Sequence, residues 1–150
     1  TVNLSSHPNR MALDWAMAHG VPHGGWCPAG RLAEDGVIDM RYSLKETPQP
    51  EYLQRTEWNV RDSDATLIVS CAVELAGGSL ATRDFAAAHG RPCLHLSGEL
   101  EAAEAAVLVR EWLHDEAVTV LNIAGPRASG EPAVGLFIQS ILDELWLHWE

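Results

Sequence analysis

Apolar residues recur at three- and four-residue spacing in several stretches and as unbroken runs in others, and the two kinds alternate along the chain. RMALDWAMAH over 10–19 carries the helical spacing and is closed by Gly20 and Pro22, which predicts a short amphipathic helix. The same reasoning predicts helices over 51–62, 79–89 (closing at Gly90), 99–115 and 133–149, the last with Leu136, Phe137, Ile141, Leu145 and Trp146 as its apolar stripe. ATLIVSC (65–71), the segment 93–96 and VTVLNIA (118–124) are short apolar runs rich in β-branched residues and read as buried strands. Strands alternating with helices imply parallel pairing through crossovers, hence an α/β three-layer sandwich with a mostly parallel central sheet, in one domain over 1–150. The opening is irregular. Only TVNLSS (1–6) precedes the first helix, so the first strand is read as short or missing. The segment 21–47 spends Gly, Pro, Trp and Arg where a connector would be brief, and is read, with 55–70, as lying at or near a binding site.

Composition narrows the picture. A chain of 150 residues buries roughly 70% of the surface its unfolded form exposes. No apolar run approaches the roughly 20 residues that cross a bilayer, so no membrane partner is expected. A net charge of -11 argues against nucleic acid, whose binding needs a basic stripe. Of the ten basic residues only Lys45 is a lysine, and arginine's planar fork suits an oxyanion. Three cysteines, odd in number and without metal-ligand spacing, point to a reducing cytoplasm and to no metal site.

Ligands of open parallel sheets bind beyond the carboxyl ends of the strands, where loops present backbone N–H groups at helix N-termini. Three such places are readable. The first is the loop of Ser5, Ser6, His7 and Asn9 before Arg10; the second is Gly77-Gly78-Ser79; the third runs from Gly125-Pro126-Arg127 to Gly130. Gly77 and Gly78 permit close approach of the backbone, and Ser79 is expected to cap the following helix and to offer a hydroxyl. An anionic small molecule is therefore expected on Gly77, Gly78, Ser79, Gly125, Pro126 and Arg127, with Arg10 or Arg31 supplying charge. His19, His89 and His95 are read as structural; Trp15, Trp26 and Trp58 are read as packing with stacking on a heterocycle as the alternative; Arg61 and Asp62 are read as scaffold as readily as site. Cys71, at a strand end near Gly77, is a ligand or nucleophile unless it is a buried hydrophobe.

The blocks His23-Gly24-Gly25-Trp26-Cys27-Pro28, Gly30-Arg31, Glu46-Thr47, Arg55-Thr56, Trp58-Asn59-Val60, Asp62-Ser63-Asp64-Ala65-Thr66 and Gly77-Gly78 together resemble the molybdenum carrier family. The resemblance runs from about Arg10 to Pro126 and implies a Rossmann-like fold, non-catalytic carriage of molybdenum cofactor, and a homo-oligomer, dimer or tetramer. Members of that family begin with a strand and a Gly-Gly-Gln-Thr-Gly loop, whereas here Asn3 to Asn9 stand in its place and only Arg10 is kept. The related cytokinin-activating phosphoribohydrolases carry Pro-Gly-Gly-x-Gly-Thr-x-x-Glu; this chain has Ala76-Gly77-Gly78-Ser79-Leu80-Ala81-Thr82-Arg83-Asp84. The enzymatic alternative that this implies is cleavage of a nucleotide N-glycosidic bond by Asp84 with Arg83. A third reading is a degenerate homologue that serves only in an assembly.

Overall fold

The computed structural model describes residues 2–4, 10–33, 36–125 and 133–147, with the side chains of 2–4, 10, 32 and 33 outside that description. In chain order the elements are β1 (Val2–Leu4), α1 (Arg10–Ala18), β2 (His23–Cys27), a 3-10 turn (Ala29–Arg31), β3 (Leu32–Ala33), β4 (Gly36–Val37), β5 (Lys45–Glu46), α2 (Tyr52–Arg61), β6 (Ala65–Ser70), α3 (Gly77–Ala88), β7 (Cys93–Ser97), α4 (Ala102–Asp115), β8 (Leu121–Ala124) and α5 (Val134–Leu147). Six strands form one sheet in the order β5-β2-β1-β8-β6-β7, every neighbouring pair parallel, and β3 and β4 form a separate antiparallel pair.

The strongly patterned elements fall where the sequence places them. β6 is buried at every residue, and its alternate residues Ala65, Leu67 and Val69 join the main core, as the two-residue period of a strand requires. That core lies between the sheet and α1, α5 and α4, with α5 packed between the other two; α2 and α3 pack together and cover the opposite face. The structure is thus α/β with helices on both sides of a parallel sheet. Among the described residues no helix is long and apolar enough to cross a membrane.

The first strand is short, as one of the two readings had it: Val2–Leu4 pairs with both β2 and β8 and stands inside the sheet. Two expectations are corrected. The long segment 21–47 contains β2 and the edge strand β5. β2 reads HGGWC, and its two glycines hide the strand pattern. The strand expected over 118–124 begins only at Leu121, because the carboxylate of Asp64 holds the preceding turn by accepting from Thr119 N, Thr119 Oγ1 and Val120 N at 3.0, 2.7 and 2.8 Å. Those bonds, the Thr119 hydroxyl first, hold the Asp64 carboxyl below its ordinary range.

Candidate functional site

A cleft of about 720 Å³ opens at the carboxyl edge of the sheet, within the size range of small-molecule sites. Three elements line it: the first turn of α2, the start of α3, and Gly125 at the end of β8. Gly77, Gly78, Ser79 and Gly125 are therefore brought to one place.

α3 begins two residues earlier than its sequence pattern suggests, and this changes the role of Ser79. Ala76, extended at φ -146 and ψ 165, is the N-cap residue and supplies no side-chain cap. Gly77 follows at φ 54, a left-handed conformation that favours glycine, and a Cβ on Gly78 would meet nothing within 4 Å. Ser79 is the third helical residue rather than the cap. It is only 5% exposed, lines the cleft, and its Oγ has no hydrogen-bond partner. Leaving a buried hydroxyl without a partner costs about 1–3 kcal/mol, so the arrangement favours a group that the described residues do not supply.

α2 contributes what the sequence reading missed. Its buried face is Arg55, Thr56, Asn59 and Val60, whereas Leu53 is 57% exposed at the cleft. A helix that turns an arginine inward and a leucine outward inverts the usual amphipathic order, and the inversion shows only in the burial of the folded chain. Arg55 is 4% exposed, with its guanidinium 5.5 Å from the centre of the Tyr52 ring. Asn59 is spent on the scaffold: its Oδ1 accepts from Trp26 N at 2.8 Å and its Nδ2 donates to Trp26 O at 3.1 Å, fixing α2 to β2. Glu51, the N-cap residue of α2, provides no side-chain cap either.

Other expected participants lie elsewhere. Arg31 is 8% exposed and faces the segment 28–47, where its fork donates to the carbonyls of Ile38, Leu44, Asp39 and Tyr42 at 3.2, 3.2, 2.8 and 3.1 Å. It roofs a small second core of Leu13, Cys27, Ile38 and Tyr42, and does not line the cleft. The segment 21–47, read as binding, is thus folded around its own arginine. Burial pushes the Cys27 thiol above its ordinary range, with Arg31 opposing. Arg83 and Asp84 are exposed on α3, away from the cleft lining. Pro126, Arg127 and the rest of that loop to Gly130 lie outside the described residues, as do the loop before Arg10 and the Arg10 side chain.

The tryptophans pack against one another and against charges. Trp15 stacks on His19, meets Trp146 edge-on at 5.6 Å, and donates to Asp143 Oδ1. Trp26 and Trp58 meet edge-to-face at 4.8 Å, with Trp26 Nε1 donating to Asp62 Oδ2 and the Arg61 guanidinium over Trp58. Arg61 also bonds Asp62 through Nε at 2.8 Å, which is the main reason the Asp62 carboxyl lies below its ordinary range. His89 pairs with Glu57 at 3.0 Å and His95 Nε2 with Ser70 Oγ at 2.6 Å, while Cys71 is exposed and so is no buried hydrophobe. No group of three His, Cys, Asp or Glu residues able to hold a metal ion occurs among the described residues.

The strand order identifies the architecture. If the edge strand β5 is set aside and β8 is counted first, then β1, β2, β6 and β7 follow as second to fifth, and the sheet reads 3-2-1-4-5, the doubly wound order, with the first strand moved behind the other four in sequence. The topological switch point then falls at β8, where the cleft opens. A family model described as the circularly permutated YpsA SLOG family matches residues 6–146. The chain belongs to that family. Among solved structures, this SLOG-family chain is similar to the crystal structure described as "Putative molybdenum carrier protein" from Syntrophus aciditrophicus SB, with 41% identity over 96% of this chain and 92% of that one and a TM-score of 0.92. No match was found among curated proteins.

Proposed function

We propose that this protein binds and carries, without transforming it, a planar small molecule bearing a phosphate, most concretely molybdenum cofactor, with the phosphate at the start of α3. The observation that carries the reading is the Ser79 hydroxyl, buried and unpartnered beside an uncapped helix N-terminus in a cleft of about 720 Å³. Backbone N–H groups at that terminus and the helix dipole favour an anion. The buried Arg55 adds positive charge, and Tyr52 and Leu53 give an apolar wall for a flat ring. The name of the related carrier supports the choice of cargo. The positions of Asp84 and Arg83 outside the cleft lining favour carriage over N-glycosidic cleavage. We take the carrier to act in the cytoplasm as a homo-oligomer, for which the exposed Leu136, Trp146 and Leu147 of α5 offer an apolar contact.

The test is to add molybdenum cofactor to the purified protein and follow its protection against oxidation, alongside incubation with adenosine monophosphate and analysis for free base. Protection with no base release is expected. Absence of binding at micromolar concentration would overturn carriage, and base release abolished by Asp84→Asn would replace it with the enzymatic reading.

A further inference from the structure

β7 pairs with β6 in parallel, Ile68 opposite His95, so Ser70 lies diagonal to His95 on the same face of the sheet. Ser70 closes β6 and is 2% exposed. Its Oγ stands 2.6 Å from Ala72 O and 2.6 Å from His95 Nε2. Proton counting gives each bond its direction. A carbonyl oxygen only accepts, so the single hydroxyl proton goes to Ala72 O, and His95 Nε2–H donates to Ser70 Oγ. With its proton turned away from the ring, this serine is not a nucleophile activated by a histidine base. It relays a bond from β7 to the turn that follows β6.

A second contact holds the same turn from the same side. A Cβ on Gly98, the residue after β7, would lie 3.1 Å from Cys71 Cα and 3.3 Å from Cys71 O, so glycine is what admits the chain that close. Residues 71–74 are exposed and outside regular structure, so little burial fixes their course. Ala76, Gly77 and Gly78 then form the α3 wall of the cleft.

We infer that His95 and Ser70 are positioning residues of the cleft: the bond relayed from His95 through the Ser70 hydroxyl to Ala72 O aims the chain as it leaves β6, and so sets where 76–78 stand against Tyr52 and Gly125. This rests on the cleft being the binding site, as proposed above, and gives a role to two residues outside its lining.

The experiment compares the full chain with Ser70→Ala, His95→Leu and His95→Gln. Glutamine can donate to Ser70 Oγ from nearly the place of the ring nitrogen, whereas leucine fills space and donates nothing. Histidine ring nitrogen shifts in the unsubstituted protein are expected to show a proton on His95 Nε2. In ligand-free Ser70→Ala and His95→Leu, backbone order parameters over 71–78 are expected to fall from about 0.85 to below about 0.6, with those of α4 unchanged. Orthophosphate titration is expected to show affinity reduced about fivefold in both, the equivalent of one ordinary hydrogen bond. His95→Gln is expected to restore both order and affinity. Circular dichroism checks that each variant folds. A His95 ring without a proton on Nε2, or order over 71–78 unchanged in Ser70→Ala, overturns the positioning role. Failure of His95→Gln to restore what His95→Leu loses overturns it too, since ring packing rather than the donated bond is then at work. Lost order with unchanged orthophosphate affinity overturns the link to the site. If the unsubstituted protein binds no orthophosphate, the carrier reading falls, while order lost in His95→Leu and regained in His95→Gln still supports the relay.

Discussion

Replacing Ser79 by alanine separates stability from binding, because the two are expected to move in opposite directions. The hydroxyl is 5% exposed and unpartnered, so the ligand-free protein bears a desolvation cost of about 1–3 kcal/mol for it. Alanine removes that cost and adds a few tenths of a kcal/mol of helix preference in the first turn of α3. Loss of one oxygen's packing offsets part of the gain, leaving a net stabilisation of about 1–2 kcal/mol. For a chain of this length that raises Tm by about 2–8 °C. The same change removes a hydrogen bond to a charged acceptor, about 1.5–3 kcal/mol, which weakens phosphate binding about ten- to a hundredfold. Urea unfolding without ligand and orthophosphate titration of the same preparation measure both. A less stable Ser79→Ala protein would show that the hydroxyl already has a partner, and an unchanged affinity would show that it does not face the anion; either result refutes the reasoning.

Three further outcomes are expected. Arg31→Met should destabilise the fold by about 3–5 kcal/mol in urea, since four carbonyls lose their donor, while phosphate affinity stays within twofold. Gly78→Ala has open space and should raise stability by about 0.5 kcal/mol yet weaken anion binding several-fold, because its methyl faces the approaching ligand; the two readouts are thermal unfolding and titration. In pH-dependent unfolding, the lowered carboxyls of Asp62 and Asp64 contribute stability that is present above their unfolded value near 3.8 and is lost as pH falls through their folded values. Asp64→Asn should flatten part of that acid limb. At the alkaline end the raised thiols of Cys27 and Cys93 keep stability constant below about pH 9, after which it declines as the unfolded chain ionises first.

Elements whose side chains carry a regular period were legible. β6 is buried throughout and mostly apolar, and α4 and α5 each show a clear stripe. β2 was not, because the stability of HGGWC comes from its neighbours: β1 and β5 on either side, and the Asn59 amide that grips Trp26. β1 is three residues long, too short to show a period. Within the site, Gly77, Gly78 and Gly125 follow from the general rule for parallel sheets. Arg31 and Arg55 show what that rule leaves out. Both are buried arginines, but one is satisfied by loop carbonyls and the other stands at a cavity, and the direction of a guanidinium depends on tertiary contacts that no local pattern encodes.

The placement of β8 between β1 and β6 has a consequence for biogenesis. Until residues 121–124 leave the ribosome, the nascent chain holds only two unjoined half-sheets, β5-β2-β1 and β6-β7, with an open edge on each. β8 acts as a keystone: its arrival joins the halves and brings Gly125 to the cleft in the same event, so the cleft gains the last of its three walls only when the sheet is whole.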